Sequence, residues 1–435
     1  MKKIIVVGAG HGGLVAAARL SEAGYDVSVL EKRKEEELGY EWEDRFDFGL
    51  LSSLIGVDIN DFPEGSWCYR SDSTFVSPDK STRIDVRFSE ENRQKIMWRK
   101  PLISMLINYA KKKGTEFVFQ TEVSAPIIEN DAVVGVVANG KKLRADLVID
   151  ASGVFSVLRS HLPESWGMGE PKRGDVFYAY RGYFDRIPGH RTPDCPFEVY
   201  LVHEGEPGLS WLYTMDDKVD VLIGRIDPID KTKVNKHLEI FKKEHPWLGD
   251  KALCGGQFAV IPVRRPLPRF VGKGYAAVGD SAYMTTPMNG MGIDLSLTAG
   301  ALLAEAVTEQ GTGIDALWSY NRKYHQTVGA NAAKNEGLKN TLLSMPSQGV
   351  DLLYKNHVIE ARDLVGGGTK MTLGALLKKL ISGMKCPRYF FAVIKGLIRG
   401  AKNTRLYKRP PASFDEKKIE KWSKKIEDNV VFIRN

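Results

Sequence analysis

The stretch KKIIVVGAGHGGLVAAARLSEAGYDVSVLEKRK runs from Lys2 to Lys34 and has the pattern of a strand, a glycine turn, a helix and a second strand. Ile4 to Val7 is an unbroken apolar run of the kind that parallel strands show when buried on both faces. Leu14 to Ala23 reads as a helix of small residues and Asp26 to Leu30 as the next strand, so the whole is a βαβ unit. Gly8, Gly10, Gly12 and Gly13 then fall in the first strand-to-helix turn. In such a turn the first glycine permits the tight bend, the second lets the backbone approach a pyrophosphate, and the last lets helix and strand pack closely. The pyrophosphate sits at the helix N-terminus, where unpaired N–H groups favour negative charge. Glu31 closes the second strand, where its carboxylate can accept hydrogen bonds from both ribose hydroxyls of an adenosine. A dehydrogenase that binds only NAD shares this opening, and later motifs separate the two cases.

The rest of the chain limits what the unit can belong to. With 435 residues, 43% of them hydrophobic, the chain is long enough to bury a large core. Cys68, Cys195, Cys254 and Cys386 form no Cys-x-x-Cys pair, so no metal site or dithiol relay is expected, and a reducing, cytoplasmic setting fits. Met1, Lys2 and Lys3 ahead of an apolar stretch resemble a secretory signal, but His11 and the glycines interrupt that stretch. No run of about 18 apolar residues occurs, so no spanning helix is expected.

Further along, Ser73 to Phe88 alternates as a hairpin, Pro101 to Lys113 reads as a helix, and Glu116 to Phe119, Val123 to Glu129 and Val133 to Ala138 read as strands. Asn139 and Gly140 supply a two-residue turn, and Leu147 to Ala151 is again a buried strand. Residues 171–264 are rich in aromatics and short alternating strands, after which Tyr275 to Val278 and Gly292 to Glu309 resume the strand and small-residue helix. The expected fold is therefore α/β. A discontinuous dinucleotide-binding domain of residues 1–65, 95–170 and 265–335 is interleaved with an antiparallel β-sheet substrate domain of residues 66–94 and 171–264. Residues 336–435 form a basic, amphipathic, helical C-terminal region, broken at Gly366, Gly367 and Gly368.

Four stretches carry a resemblance to a known family. They are the glycine turn with Glu31 and Lys32; Arg99-Lys-Pro-Leu102-Ile-Ser-Met-Leu106; Gly279-Asp280-Ser-Ala282 followed by Pro287, Gly290 and Gly292; and Pro207-Gly208-Leu209-Ser210-Trp211-Leu212-Tyr213. Over roughly residues 1–330 the chain resembles the FAD-dependent family that includes para-hydroxybenzoate hydroxylase, and within it the geranylgeranyl reductase branch. The resemblance implies an FAD-binding, Rossmann-like domain of the glutathione reductase and para-hydroxybenzoate hydroxylase type. It assigns Gly8, Ala9, Gly10, Gly12, Gly13, Glu31 and Lys32 to the first half of the cofactor site, together with Arg99, Val123 and Gly153. Gly279, Asp280, Pro287, Gly290, Met291, Gly292 and Ile293 make the second half. Arg99 would contact the phosphates or ribityl chain, although an exposed arginine at a helix start is the alternative reading of the residues alone. Asp280 would accept from ribityl hydroxyls, and the helix beginning near Gly292 would aim its N-terminus at the N1 and C2=O edge of the ring.

Trp211 and Tyr213 are similar to the Tyr-x-Trp element that lines the lipid pocket of the reductases, with Leu209 where the family usually has Tyr. Trp211 also reads as a core residue of a central strand. Two further departures concern chemistry. Ser152, in Asp150-Ala-Ser152-Gly153, replaces the Asp of the hydroxylases' Asp-Gly motif, and Tyr40-Glu-Trp-Glu follows Gly39 where some reductases have a Cys.

From Lys378 to Arg409 there are ten Lys or Arg and no Asp or Glu. Phe390, Phe391, Val393, Ile394, Leu397 and Ile398 follow helical spacing, and Lys395, Arg399 and Lys402 are expected on the opposite face. Such a helix can lie in a membrane interface; its alternative is a helix packed on the catalytic body. No nucleic-acid motif accompanies the charge, so no nucleic-acid partner is expected. The expected activity is that of an FAD oxidoreductase, cytoplasmic and peripheral on the inner face of the membrane, reducing a carbon-carbon double bond of an apolar, isoprenoid or lipid-like substrate. The electron donor, NAD(P)H or a redox protein, and the catalytic acid or base stay open. The rival readings are a flavin monooxygenase or halogenase of an aromatic compound, and a flavin electron-transfer protein with no small substrate.

Overall fold

The computed structural model describes residues 1–90, 93–364, 373–430 and 433, so the break expected at Gly366, Gly367 and Gly368 lies outside the described residues. The opening unit is β1 (Lys3–Val7), α1 (His11–Glu22) and β2 (Asp26–Leu30). β3 (Glu43–Arg45), α2 (Phe48–Ile55) and β4 (Trp67–Tyr69) follow, then the hairpin of β5 (Ser73–Val76) with β6 (Arg83–Val86). β7 (Lys95–Trp98) leads straight into α3 (Arg99–Lys112). β8 (Glu116–Val118) precedes a meander of β9 (Val123–Glu129), β10 (Ala132–Ala138) and β11 (Lys141–Arg144), and then comes β12 (Leu147–Asp150).

The middle of the chain supplies β13 (Val176–Arg186), β14 (Phe197–Leu201), β15 (Gly208–Thr214), β16 (Lys218–Arg225), α4 (Lys231–Glu244) and β17 (Leu248–Pro262). After it come β18 (Val271–Gly272), β19 (Tyr275–Ala277), α5 (Ile293–Gln310) and α6 (Ile314–Tyr324). The remainder is helical: α7 (Ala330–Ala333), α8 (Glu336–Leu343), α9 (Ser347–Lys355), α10 (Ala361–Leu364), α11 (Leu373–Gly383), α12 (Pro387–Tyr407) and α13 (Glu416–Glu427).

The first sheet runs β18-β19-β12-β1-β2-β8, parallel throughout except at β18. Its central strands are buried on both faces, which is why they read as continuous apolar runs. α1 and α5 cross on this sheet at backbone distance. A Cβ on Gly12 would lie 2.4 Å from the Ser296 carbonyl oxygen, and one on Gly300 would lie 2.1 Å from that of Gly12. Gly12→Ala should therefore force the two helices apart and cost about 1–3 kcal/mol of stability, the usual penalty of overpacking. A thermal melt of the purified variant checks this; an unchanged midpoint would mean that the crossing has slack.

The second large sheet, β17-β13-β16-β15-β14-β5-β6, is mostly antiparallel. Its side chains alternate between two covers. Phe184, Tyr200, Leu212, Val221 and Ile223 pack under α4 through Val234, Leu238 and Phe241. Phe177, Leu209 and Ile261 face the other way and join Leu342 of α8, Leu353 of α9 and Phe390 and Val393 of α12 in one apolar cluster. β4 does not join this sheet: it pairs with β7, which also pairs with β3, in a small three-stranded sheet.

The C-terminal region corrects one expectation. Phe390 and Val393 are buried on the inward face of α12, but Phe391 and Ile398 stand exposed on the same outward side as Lys395 and Lys402. The apolar stripe and the cations are thus not opposed across the helix.

Candidate functional site

The carboxyl ends of β1 and β12, the point where such sheets bind ligands, open on a cavity of about 730 Å³. Gly8, Ala9, Gly10, Glu31, Lys32, Arg99, Val123, Gly153 and Asp280 line it. A recess of about 140 Å³ shares several of those residues and adds Gly12, Gly13, Gly279, Gly290, Gly292 and Ile293. Two segments more than two hundred residues apart in the chain thus form one hollow. Pro287 and Met291 line neither part; the Met291 N–H is held instead by the Thr286 hydroxyl at 3.2 Å.

The hollow is built for an elongated anion with hydroxyl groups. Gly8 turns the chain at φ 88°, and its N–H donates to the Leu30 carbonyl at 2.8 Å. α1 and α5 both begin on a glycine, with no side-chain cap, so their first N–H groups remain available to a ligand. Glu31 accepts from the Ala9 N–H at 3.0 Å and from the Arg33 N–H at 2.9 Å, which fixes the glycine turn and leaves further lone pairs on each oxygen. The Asp280 carboxylate makes no hydrogen bond within the described protein, and burial pushes its pKa up to about 6 against the pull of Arg99. His11 is kept neutral, its pKa lowered to about 3 by burial and then by Arg99, and its Nε2 is buried without a partner. An unfilled acceptor and an unfilled ring nitrogen in a glycine-lined hollow are what a polyhydroxylated dinucleotide would complete.

A polar lock holds the two segments in register. Asp150 accepts from the Ser152 hydroxyl at 2.6 Å, from the Tyr275 hydroxyl at 2.8 Å and from the Ser156 hydroxyl. Arg159, fully buried, donates to the carbonyls of Val154 and Ser281 at 2.6 Å each and stacks on the Tyr283 ring. Ser152, which departs from the family pattern, is spent on this lock.

On the other side of the recess, Tyr40 and Trp42 stack at 4.1 Å, and the Arg99 guanidinium lies over both rings while pairing with Asp44. The next residue, Glu43, is 5% exposed with Oε1 unpartnered; burial and the nearby Asp220 carboxylate push its pKa up to about 7. Glu43 and His11 escaped the sequence reading. Their only signal was position, one beside a departure from the family pattern and the other inside the glycine turn.

Trp211 and Tyr213 line neither part of the hollow. The Trp211 indole donates to Asp220 at 3.1 Å and lies beside Arg181, which sits in turn against Trp42, so Trp211 backs the aromatic wall from behind. The Tyr213 hydroxyl pairs with that of Ser71 at 2.9 Å. Strand alternation gave their face of the sheet but not the groups packed on it, which include Arg181 against Trp211 and Ser71 against Tyr213.

Comparison with known proteins agrees with this geometry. Residues 6–44 match the family described as NAD(P)-binding Rossmann-like domain. The chain is 26% identical over 402 residues to the digeranylgeranylglycerophospholipid reductase of Methanothrix thermoacetophila, covering 87% of this chain and 95% of that protein. It is 23% identical to the enzyme of that name from Sulfolobus acidocaldarius, covering 98% and 97%. A geranylgeranyl bacteriochlorophyll reductase-like protein of Thermoplasma acidophilum superposes with a TM-score of 0.68 at 19% identity, over 89% of this chain and 99% of that one. The chain has the fold of the FAD-dependent oxidoreductases. In sequence it is similar to the digeranylgeranyl lipid reductases along most of its length. It shares its fold with the myxobacterial chondrochloren halogenase as well, at a TM-score of 0.59 and 16% identity.

Proposed function

We propose that the enzyme reduces carbon-carbon double bonds of an isoprenoid or similarly apolar lipid chain. The observation that carries this reading is the likeness, over nearly the whole length, to reductases whose names specify a digeranylgeranyl lipid. Ile261 supports it locally, because it lines the recess and also belongs to the apolar cluster between the large sheet and α8, α9 and α12.

FAD, when bound and reduced by the electron donor, would supply a hydride to one alkene carbon, and a proton would complete the other. In this reading Glu31 receives the adenosine ribose, the N-terminus of α1 the pyrophosphate, and Asp280 the ribityl hydroxyls. Arg99 neutralises phosphate charge and, packed on Tyr40 and Trp42, closes the site to water. The N-terminus of α5, opened by Gly292, favours negative charge at the ring edge it faces. Lys32, Val123 and Gly153 bound the adenine and ribityl ends. Glu43 holds a proton near neutral pH behind Trp42. The enzyme would work as a peripheral protein on the cytoplasmic face of the membrane; no helix among the described residues is long and apolar enough to cross a membrane.

The test is direct. Purified protein given dithionite and a panel of prenylated glycerolipids should yield products heavier by one hydrogen pair per reduced double bond. Lipids recovered unchanged across the panel would defeat the assignment. Products carrying oxygen or halide would favour the monooxygenase or halogenase reading instead.

A further inference from the structure

Sixteen large apolar side chains are exposed among the described residues, and eight of them fall between Leu376 and Ile398. Scattered singly such residues need no explanation, but a concentration of this kind marks a surface that is covered in use. Leu376, Leu377, Leu380 and Ile381 lie on one face of α11, and Met384 continues the row just past its end. The other side of α11 is anchored: Lys379 donates to the Val358 carbonyl at 2.6 Å and pairs with Asp363, and a Cβ on Gly383 would meet the Phe390 ring at 2.3 Å. The row therefore points away from the body. On α12 the inward face holds Phe390, Val393, Gly396 and Tyr407, while Phe391 and Ile398, 56% and 63% exposed, stand outward among Arg388, Lys395 and Lys402.

Charge identifies the partner. The ten cations between Lys378 and Arg409 have no carboxylate among them, so the sequence around the apolar row is purely basic. A symmetric second copy would bring these cations face to face, which costs affinity. A bilayer with anionic headgroups takes both features at once, apolar side chains at the acyl boundary and cations at the headgroup level.

We infer that the outward face of α11, with Phe391 and Ile398 of α12, docks on an anionic lipid bilayer. α11 is the inserting element, and Lys385, Arg388, Lys395 and Lys402 hold the headgroups. This deepens the reading of a peripheral, lipid-acting enzyme and rests on it, but its test needs no turnover.

The experiment sediments the full-length, FAD-loaded protein with phosphatidylcholine vesicles, with and without phosphatidylglycerol, at two salt concentrations. Binding should be at least tenfold stronger with phosphatidylglycerol and should weaken as salt rises. L380E/I381E should lose at least tenfold of that binding while keeping its flavin and its melting temperature, because both side chains are exposed. K395E/K402E should lose the preference for phosphatidylglycerol. A parent protein that stays in the supernatant, or an L380E/I381E variant that sediments like the parent, overturns the inference. So does self-association that L380E/I381E abolishes without any vesicle binding, which would give the face to a second copy. Vesicle binding by a parent protein that reduces no prenylated lipid would support the surface and sink the substrate reading.

Discussion

Asp280→Ala should bind FAD about ten- to a hundredfold more weakly than the parent protein. The carboxylate lies in the wall of the hollow with no hydrogen bond inside the described protein, and its burial already raises its pKa to about 6. Hydroxyl donors from a ribityl chain would meet that unfilled acceptor, and a hydrogen bond to a charged group contributes about 1.5–3 kcal/mol. Each 1.4 kcal/mol or so is tenfold in affinity. The same argument fixes a pH dependence. Donors stabilise the charged form, so the pKa of Asp280 falls when FAD binds, and binding releases a proton wherever the free protein holds one. Affinity should then be full above about pH 6 and decline as pH falls through that value. Asp280→Asn should flatten this dependence. Fluorescence titration of the apoprotein with FAD measures both effects, and a variant as yellow as the parent, with the same pH profile, would remove Asp280 from the site.

Glu336→Ala should lower stability by about 3–5 kcal/mol, the cost of leaving a buried charge without its partner. Glu336 and Arg265 are 1% and 2% exposed; Arg265 Nη1 donates to both carboxylate oxygens at 2.9 Å, and its backbone N–H donates at 3.1 Å. Removing the carboxylate strands Arg265 beside Lys339, whose own pKa burial has pushed down to about 8. Glu427 remains as a half-exposed partner of Arg265 and keeps the loss from being larger. Chemical denaturation should register the change as a lower midpoint at similar slope. Replacing both partners, Arg265→Met with Glu336→Leu, should recover much of it, because the desolvation cost of the pair disappears as well. A single variant as stable as the parent would mean that the pair contributes packing and nothing more.

The opening βαβ unit and the Gly279-Asp280 segment were legible because their strands are buried on both faces and Gly8 and Gly279 turn the chain at positive φ just past them. β17 was not legible: Lys251 and Asp250 interrupt its alternation, Gly255 and Gly256 both take positive φ, and its pairing with β13 slips in register at three points. α4 had a signal, with Asp230 capping the Lys233 N–H and Val234, Leu238 and Phe241 at helical spacing, but it sits among aromatic strands that dominate the pattern around it. The same limit explains Trp211 and Tyr213. A period of two tells which side chains share a face, and says nothing about which groups from elsewhere in the chain pack over that face. For α12 the apolar positions span more than one face, and only packing against α8 shows which of them turn inward.

The contact of Gly12 with Gly300 has a bearing on biosynthesis. A nascent chain that has left the ribosome only through Asp150 already contains β1, β2 and β12, yet α1 still faces water where α5 will lie. At synthesis rates of roughly 5–20 residues per second, that helix waits on the order of ten seconds for its cover. Through that interval the face of α1 around Gly12 stays uncovered, and slower elongation lengthens the exposure.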